Sequence, residues 1–319
     1  MLTKDAEAAA VMTPPLQADQ AKKATAKSPQ IYIDGEFFDQ ANAKVSVFDH
    51  GLLYGDGVFE GIRFYDGRVF RMEEHMDRLW ESAHSICLDI PMSRAEMDEA
   101  LLETIRQNDL RDGYVRLIVT RGVGNLGLNP IQCKRPSVII IAAAIALYSE
   151  ELYRRGLTVV TVPTRRMGPA TLNPAIKSLN YLNNVMARIE ANLANADEAL
   201  MLNEAGNIAE CTADNVFVVK RGQIMTPPIT AGALRGITRA VVFDIAAELG
   251  IKISEPELTR HDLYVADEAF LTGTAAEVIP MIKVDGRTIG NGKPGAITTR
   301  TMARFRELTR ETGTPIFPE

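Results

Sequence analysis

Lys177 stands in the run Asn173–Pro174–Ala175–Ile176–Lys177–Ser178–Leu179–Asn180–Tyr181, among neutral neighbours and just ahead of an amphipathic segment. A lysine packed in such surroundings loses hydration, which disfavours the ammonium and favours the free amine. A free amine condenses with a carbonyl. The same residue also reads as a surface lysine at a helix start, and on these residues alone that plainer reading is favoured. Glu210 lies in Ala209–Glu210–Cys211–Thr212–Ala213–Asp214–Asn215, between two expected strands. A carboxylate there is either buried against a cation or part of a turn. Gly236–Ile237–Thr238 opens a helix after a proline- and glycine-rich loop. The free N–H groups and positive macrodipole end of such a start suit a phosphate. Thr272–Gly273–Thr274–Ala275–Ala276–Glu277 offers hydroxyls and close backbone approach for a second anion contact. Each of these signals is weak alone.

Other chemistries find less support. Gly122–Val123–Gly124–Asn125–Leu126–Gly127 matches GxGxxG after an expected strand, the pattern of a nicotinamide dehydrogenase. Pro130 follows closely and disfavours a helix opening at the glycines. No acidic residue stands about 20 positions further on to hold a ribose. We read the run as a glycine-rich loop near a site. His50, His75, His84 and His261 are scattered without metal-ligand spacing, and no GxSxG elbow exists, so no metal and no serine nucleophile is expected. Cys87, Cys133 and Cys211 include no CxxC pair, which argues for a reducing, cytoplasmic setting. The net charge of −6 speaks against nucleic acid as a partner. The longest apolar run, Val138 to Tyr148, falls short of the roughly 20 residues that span a bilayer, so no membrane partner is expected.

Positioning these groups takes several elements. The 319 residues, 46% hydrophobic and 24% charged, suit two soluble domains. Residues 1–29 are rich in Ala, Lys, Gln and Pro, contain Asp5, Glu7 and Asp19 but no Arg, and read as a disordered extension rather than a targeting segment. Ile31–Tyr32–Ile33, the Asp34–Gly35 turn and Phe37–Phe38 predict a hairpin. Val58 to Phe64, the Asp66–Gly67 turn, and Val69–Phe70 predict a second. Met76, Leu79, Trp80, Ala83, Ile86 and Cys87 share one helical face, and Ser93 with Glu96 has capping-box spacing before another helix. Strands are expected at Tyr114 to Thr120 and Val138 to Leu147. A charged stretch from Glu150 to Arg155 marks the boundary between a small domain of residues 30–149 and a larger one of 150–319. Further strands are expected at Leu157 to Val162, Ala199 to Leu202 and Val216 to Val219. A helix should span about Asn180 to Ala196, and another should run from near Gly236 to Gly250. The order predicts two α/β domains of mixed α+β character rather than one doubly wound sheet.

Taken in order, these pieces resemble the class IV aminotransferases, the fold type IV family of pyridoxal-phosphate enzymes. The matching segments are Phe48–Asp49–His50–Gly51, Tyr54 to Arg63, His75 to Leu79, Lys177 to Asn184, Glu210 to Phe217, Leu234 to Thr238, and Thr272 to Glu277. The resemblance covers nearly everything from Ile31 onward. It implies that pyridoxal 5'-phosphate is held as a Schiff base on Lys177, which also shuttles the proton at the substrate's Cα. Glu210 would pair with the pyridine nitrogen and Tyr181 with the ring's phenolic oxygen. Arg78, the amides of Ile237 and Thr238, and the Thr274 hydroxyl would hold the phosphate, with Leu234, Gly236 and Gly273 also at the cofactor.

Within the family, Phe59 to Arg63 and Tyr114–Val115–Arg116 look like the branched-chain amino acid aminotransferase subgroup. That implies transamination of leucine, isoleucine and valine with 2-oxoglutarate. Tyr54, Phe59 and Tyr181 would line an apolar pocket, with Arg63 beside it. Tyr114 and the Thr274–Ala275 turn would take the α-carboxylate, supported by Arg116. Arg116, Arg121 or the tyrosine hydroxyls are the candidates for the second carboxylate of 2-oxoglutarate. The resemblance further implies a homodimer, or a higher homo-oligomer, whose site is completed by a partner loop including Gly122 to Asn129. The competing readings are a D-amino-acid transaminase or an aminodeoxychorismate-lyase-like enzyme of the same class, a dehydrogenase, and a catalytically silent oligomer.

Overall fold

The computed structural model describes residues 28–145 and 147–317. The expected N-terminal extension, residues 1–29, falls outside the described residues except for its last two. The chain forms two separate sheets.

The first sheet begins with a hairpin of β1 (Gln30–Ile33) and β2 (Glu36–Asp39), as the Asp34–Gly35 turn predicts. A short helix, α1 (His50–Tyr54), is capped by Asp49 and leads into β3 (Gly57–Tyr65), which turns back through β4 (Arg68–Val69). Two helices follow, α2 (Met72–Ser85) and α3 (Arg94–Gln107), and the Ser93–Glu96 capping box is present at the start of α3. Strands β5 (Gly113–Thr120) and β6 (Ser137–Ala143) complete this half, β6 ending four residues before its expected limit. All pairings are antiparallel. Period-2 alternation sends Val58, Ile62 and Phe64 of β3 and Val115, Leu117 and Val119 of β5 into a core under α2 and α3. There they meet Met76, Leu79, Met97, Leu101 and Ile105. Burying each such side chain contributes about 1.5–3 kcal/mol. The opposite face of β3 and β5 carries Phe59, Gly61, Tyr114 and Arg116 into a cavity.

The second sheet follows α4 (Glu150–Arg155), into which the charged stretch folds. It takes β7 (Leu157–Thr161), then, after a long irregular segment and α5 (Leu182–Leu193), β8 (Glu198–Leu202) and β9 (Ile208–Cys211). Next come β10 (Asn215–Lys220), β11 (Gln223–Met225) and α6 (Ile237–Glu248). Gly250 takes φ +65° just past α6, the left-handed stop expected there. Then β12 (Ile253–Ser254), α7 (Arg260–Tyr264), β13 (Glu268–Gly273), β14 (Glu277–Val284) and β15 (Arg287–Thr288) close the sheet. Its order is β12-β11-β10-β13-β14-β7-β8-β9, with β15 beside β14 and parallel pairing at β11–β12, β14–β7 and β7–β8. α6 packs on one face with α8 (Ala296–Glu311), over the stacked rings of Phe217 and Phe270, whose centroids are 4.8 Å apart. The last strand, β16 (Thr314–Pro315), returns to pair with β4 and buries Ile316 in the first core.

Candidate active site

Lys177 lies on the irregular segment before α5, fixed to the first sheet by backbone bonds. Its carbonyl accepts from Phe59 N–H at 3.0 Å, and Leu179 N–H donates to Gly57 O at 2.9 Å. Its own N–H donates to Ser82 Oγ of α2 at 3.1 Å. The stretch thus runs along β3 as a fragment of an extra strand, with Ser178 bridged to Val58. The amine reaches into a cavity of about 350 Å3 between the sheets, within the usual range for small-molecule sites. Its Nζ donates to Tyr181 Oη at 3.2 Å and stands 4.6 Å from the centre of the Phe59 ring.

One end of the cavity is rich in donors. α2 sets His75, Arg78 and Ser82 on one face, at i, i+3 and i+7, beside its core stripe. Arg78 Nη1 donates at 2.8 Å to Arg235 O, in the loop that opens α6. α6 starts at Gly236 with no side-chain cap, beside Ile237 and Thr238 on the cavity wall. Glycine at position 236 leaves room for Asn215, since an added Cβ would collide with Asn215 Oδ1 unless that side chain shifted. Gly273, Thr274 and Ala275, in the turn from β13 to β14, face the same space.

Glu210 is not on a turn between strands but on a strand of its own, β9. All four residues of β9 are buried, so the segment carries no alternating pattern to betray it. The Glu210 carboxylate accepts from Arg166 Nε at 2.8 Å and from Leu234 N–H at 2.8 Å. Of the two open readings, a buried carboxylate held by a cation is the one found. Burial pushes its pKa up, and the charges and hydrogen bonds of Arg166 and Leu234 only partly oppose this. Nearby, burial and the carboxylates of Glu198 and Glu210 push Asp214 up to about 8. Among the described residues, Asp214 Oδ2 and Thr272 Oγ1 are buried without hydrogen-bond partners, and both residues line the cavity.

The apolar wall is made by Phe59 and Tyr181, whose rings meet edge to face at 5.0 Å, with Leu147 and Leu179. Arg116 lies over the Phe59 ring at 4.5 Å and donates to Tyr114 Oη at 3.3 Å. Gly61 makes room for that tyrosine, because a Cβ there would collide with Tyr114 Oη.

Most of the expected site residues therefore converge, but three side chains stand elsewhere. Tyr54 does not line the cavity, because its hydroxyl donates to Leu126 O in the glycine-rich loop. Arg63 faces an adjoining polar cavity, where it lies 3.7 Å from Glu277 and 4.7 Å over the Tyr65 ring. Two residues further along β3 than Gly61 is enough to carry it past the site. Arg121 is no candidate for a substrate carboxylate. Its guanidinium is spent on Asp56 and on the carbonyls of Ile86 and Cys87. The glycine-rich loop leads only into a short 3-10 turn at Pro130–Gln132, so no phosphate-binding helix start stands there. Sequence reasoning missed that Glu60 is bonded to Arg78 and His75, and that Arg166 is paired with Glu210. The polar spacing on α2 could have exposed His75 and Arg78 as one face, while nothing local ties Arg166 to Glu210, 44 positions away.

Residues 57–284 match the family model described as Amino-transferase class IV. A protein of Methanocaldococcus jannaschii is 52% identical over 291 residues, 91% of this chain and 100% of that one. The branched-chain aminotransferase from Thermoproteus uzoniensis with norvaline superposes with a TM-score of 0.85 at 38% identity, covering 91% of this chain and 100% of that one. The branched-chain amino acid aminotransferase from Thermobaculum terrenum in its PLP-bound holo-form gives a TM-score of 0.81 at 31% identity, over 89% and 95%. A lysine amine between a donor-rich end and a buried carboxylate, on a fold shared along almost its whole length, has a plain meaning: the chain belongs to the class IV aminotransferases.

Proposed function

We propose that the protein transfers the amino group of L-leucine, L-isoleucine and L-valine to 2-oxoglutarate, giving branched-chain 2-oxo acids and L-glutamate, with pyridoxal 5'-phosphate on Lys177. The observation that carries the reading is the placement of the Lys177 amine against Phe59 and Tyr181, in one cavity with Arg78 and Glu210. The structural relatives, named as branched-chain aminotransferases, support the choice of amino donors.

The cavity suits the cofactor. Of the five donors of the Arg78 guanidinium, Glu60 and Arg235 O engage three, leaving two for a phosphate beside the open start of α6. When bound, pyridoxal phosphate supplies an electrophilic aldehyde carbon and a ring that accepts electrons. Lys177 holds that carbon at rest and, once freed, moves the proton at the substrate's Cα. Glu210 holds a proton at the ring nitrogen, and Tyr181 donates to the phenolic oxygen. Ile237, Thr238 and Thr274 complete the phosphate site, with Leu234, Gly236 and Gly273 around it. Tyr114 and the Thr274–Ala275 turn receive the α-carboxylate, and Arg116 is the partner for the second carboxylate of 2-oxoglutarate.

We further assign residues 30–149, joined by the returning strand β16, to one domain and the rest of 150–319 to a second, and the working unit to a homodimer in the cytoplasm, serving amino-acid biosynthesis. Two exposed apolar surfaces support the dimer. The outer stripe of α5 carries Leu182, Val185, Met186, Ile189 and Leu193, and the glycine-rich loop carries Val123, Leu126 and Leu128. Contiguous apolar surface of this kind marks an interface. No helix among the described residues is long and apolar enough to cross a membrane.

The substrate reading is tested by comparing L-leucine, L-alanine and D-alanine as amino donors to 2-oxoglutarate. Leucine should exceed L-alanine in kcat/KM by roughly one to two orders of magnitude, from about 0.8 kcal/mol per buried methylene. If D-alanine outruns L-leucine, the substrate assignment fails and the family chemistry stands.

A further inference from the structure

The inner face of β3 reads Val58, Glu60, Ile62, Phe64, three core residues interrupted by one carboxylate. Glu60 has no exposure at all. Its Oε1 accepts from Arg78 Nε at 2.7 Å and its Oε2 from Arg78 Nη2 at 2.8 Å. His75, also buried, brings Nδ1 to 2.7 Å from Glu60 Oε2. A buried ion pair set into an apolar face is costly to desolvate, and well-packed apolar residues in place of the whole pair serve stability as well or better. Stability is therefore a poor account of this carboxylate, and what it does to Arg78 is a better one.

We propose that Glu60, braced by His75, is a positioning residue for anion recognition: it locks the Arg78 guanidinium in one orientation toward the phosphate end of the cavity. The proposal rests on the assignment of Arg78 to the cofactor's phosphate. A free arginine side chain carries about 2 kcal/mol of rotamer entropy, which a two-point clamp removes before the ligand arrives. The clamp sets the guanidinium plane, Arg235 O takes a third donor, and the remaining N–H groups stay available at the cavity wall.

The protonation states agree with this geometry. Burial pushes the Glu60 carboxyl up, but the charge and hydrogen bonds of Arg78 and the bond from His75 outweigh it and hold it well below the usual carboxylate range. Burial brings the His75 imidazole down despite Glu60, which favours the neutral ring. An ionised Glu60 only accepts, so a neutral His75 donates from Nδ1. With His75 neutral, the guanidinium keeps its charge and two free N–H donors, and its orientation is fixed before the phosphate arrives.

The test compares cofactor with and without its phosphate on the full chain freed of bound cofactor. Pyridoxal phosphate and pyridoxal are titrated by absorbance into the wild type and into Glu60→Gln, Arg78→Ala, His75→Ala and His75→Asn. Glu60→Gln should weaken pyridoxal phosphate by about ten- to hundredfold, the range of one or two bonds to a charged group. Pyridoxal should change by less than about twofold. His75→Ala should follow the same pattern more weakly, and His75→Asn, whose amide can replace the Nδ1–H, should recover most of it. Should Glu60→Gln not fold, the two His75 variants carry the same comparison. Equal weakening of both ligands, or of neither, in Glu60→Gln or in the His75 pair, while Arg78→Ala weakens pyridoxal phosphate alone, would leave Glu60 a purely structural ion-pair member. If Arg78→Ala itself spares the phosphate-bearing ligand, the assignment of Arg78 to the phosphate fails and the proposal falls with it.

Discussion

Arg166 and Glu210 form an ion pair with Nε and Oε1 2.8 Å apart and side chains only 5% and 6% exposed. The pair reaches from the segment after β7 to β9 and sets the carboxylate at one wall of the cavity. Two consequences follow, one for chemistry and one for stability. Glu210→Gln should still take up the cofactor but turn over about 10²- to 10³-fold more slowly, because an amide does not hold a proton on the ring nitrogen as a carboxylate does. Single-turnover kinetics with L-leucine would measure the loss, and unchanged turnover would reduce Glu210 to a structural role.

Arg166→Met strands the Glu210 carboxylate without its cation. The cost should be about 3–5 kcal/mol, as for other broken buried pairs. Urea unfolding of Arg166→Met, Glu210→Gln and the double variant gives the cycle that isolates the pair. The double variant should be more stable than Arg166→Met alone. Strict additivity of the two single changes would show that the residues do not interact.

Asp214 makes stability depend on pH in the unusual direction. Its carboxyl is raised from 3.8 to about 8 in the folded chain, first by burial and then by Glu198 and Glu210. Between those values the unfolded chain gives up a proton that the folded chain keeps, so rising pH favours unfolding at this residue. The penalty is absent below the lower value and complete above the upper one. Asp214→Asn should remove it. Urea midpoints at about pH 5 and about pH 8 should therefore diverge, with the variant gaining on the wild type as pH rises. Parallel curves would contradict the shift.

Gly61→Ala should separate substrate from cofactor. The new Cβ would collide with Tyr114 Oη, so the tyrosine must leave the place we assign it at the substrate's α-carboxylate. The KM for L-leucine should rise by about tenfold, the range of one bond to a charged group, while the affinity for pyridoxal phosphate stays near that of the wild type. A cofactor affinity that falls as far as the substrate's would place Gly61 in the general packing of β3.

The legible parts of the site were those with a local pattern. The Ser93–Glu96 cap, the Asp34–Gly35 turn and the stop at Gly250 depend on neighbours in the chain, and the structure contains them all. The family motifs brought Lys177, Tyr181, Glu210 and Arg78 to one cavity. Long-range partners were not legible. Arg166 meets Glu210 only because β7, β8 and β9 lie side by side, and Glu60 meets Arg78 only because α2 crosses β3. β9 itself was missed because its four residues, Ile208–Cys211, hold neither an alternating pattern nor the apolar run that marks β8 and β10. Tyr54 and Arg63 are the two ends of one matched motif, yet the Leu126 carbonyl and the adjoining Glu277 hold them out of the cavity.

The central claim is that Lys177 carries the cofactor, and covalent trapping tests it most directly. Purified protein loaded with pyridoxal phosphate should be yellow. Borohydride reduction, digestion and mass spectrometry should then place a single phosphopyridoxyl label on the peptide holding Lys177, and Lys177→Ala should abolish it. A label on any other lysine, or an unchanged label in Lys177→Ala, would contradict the account.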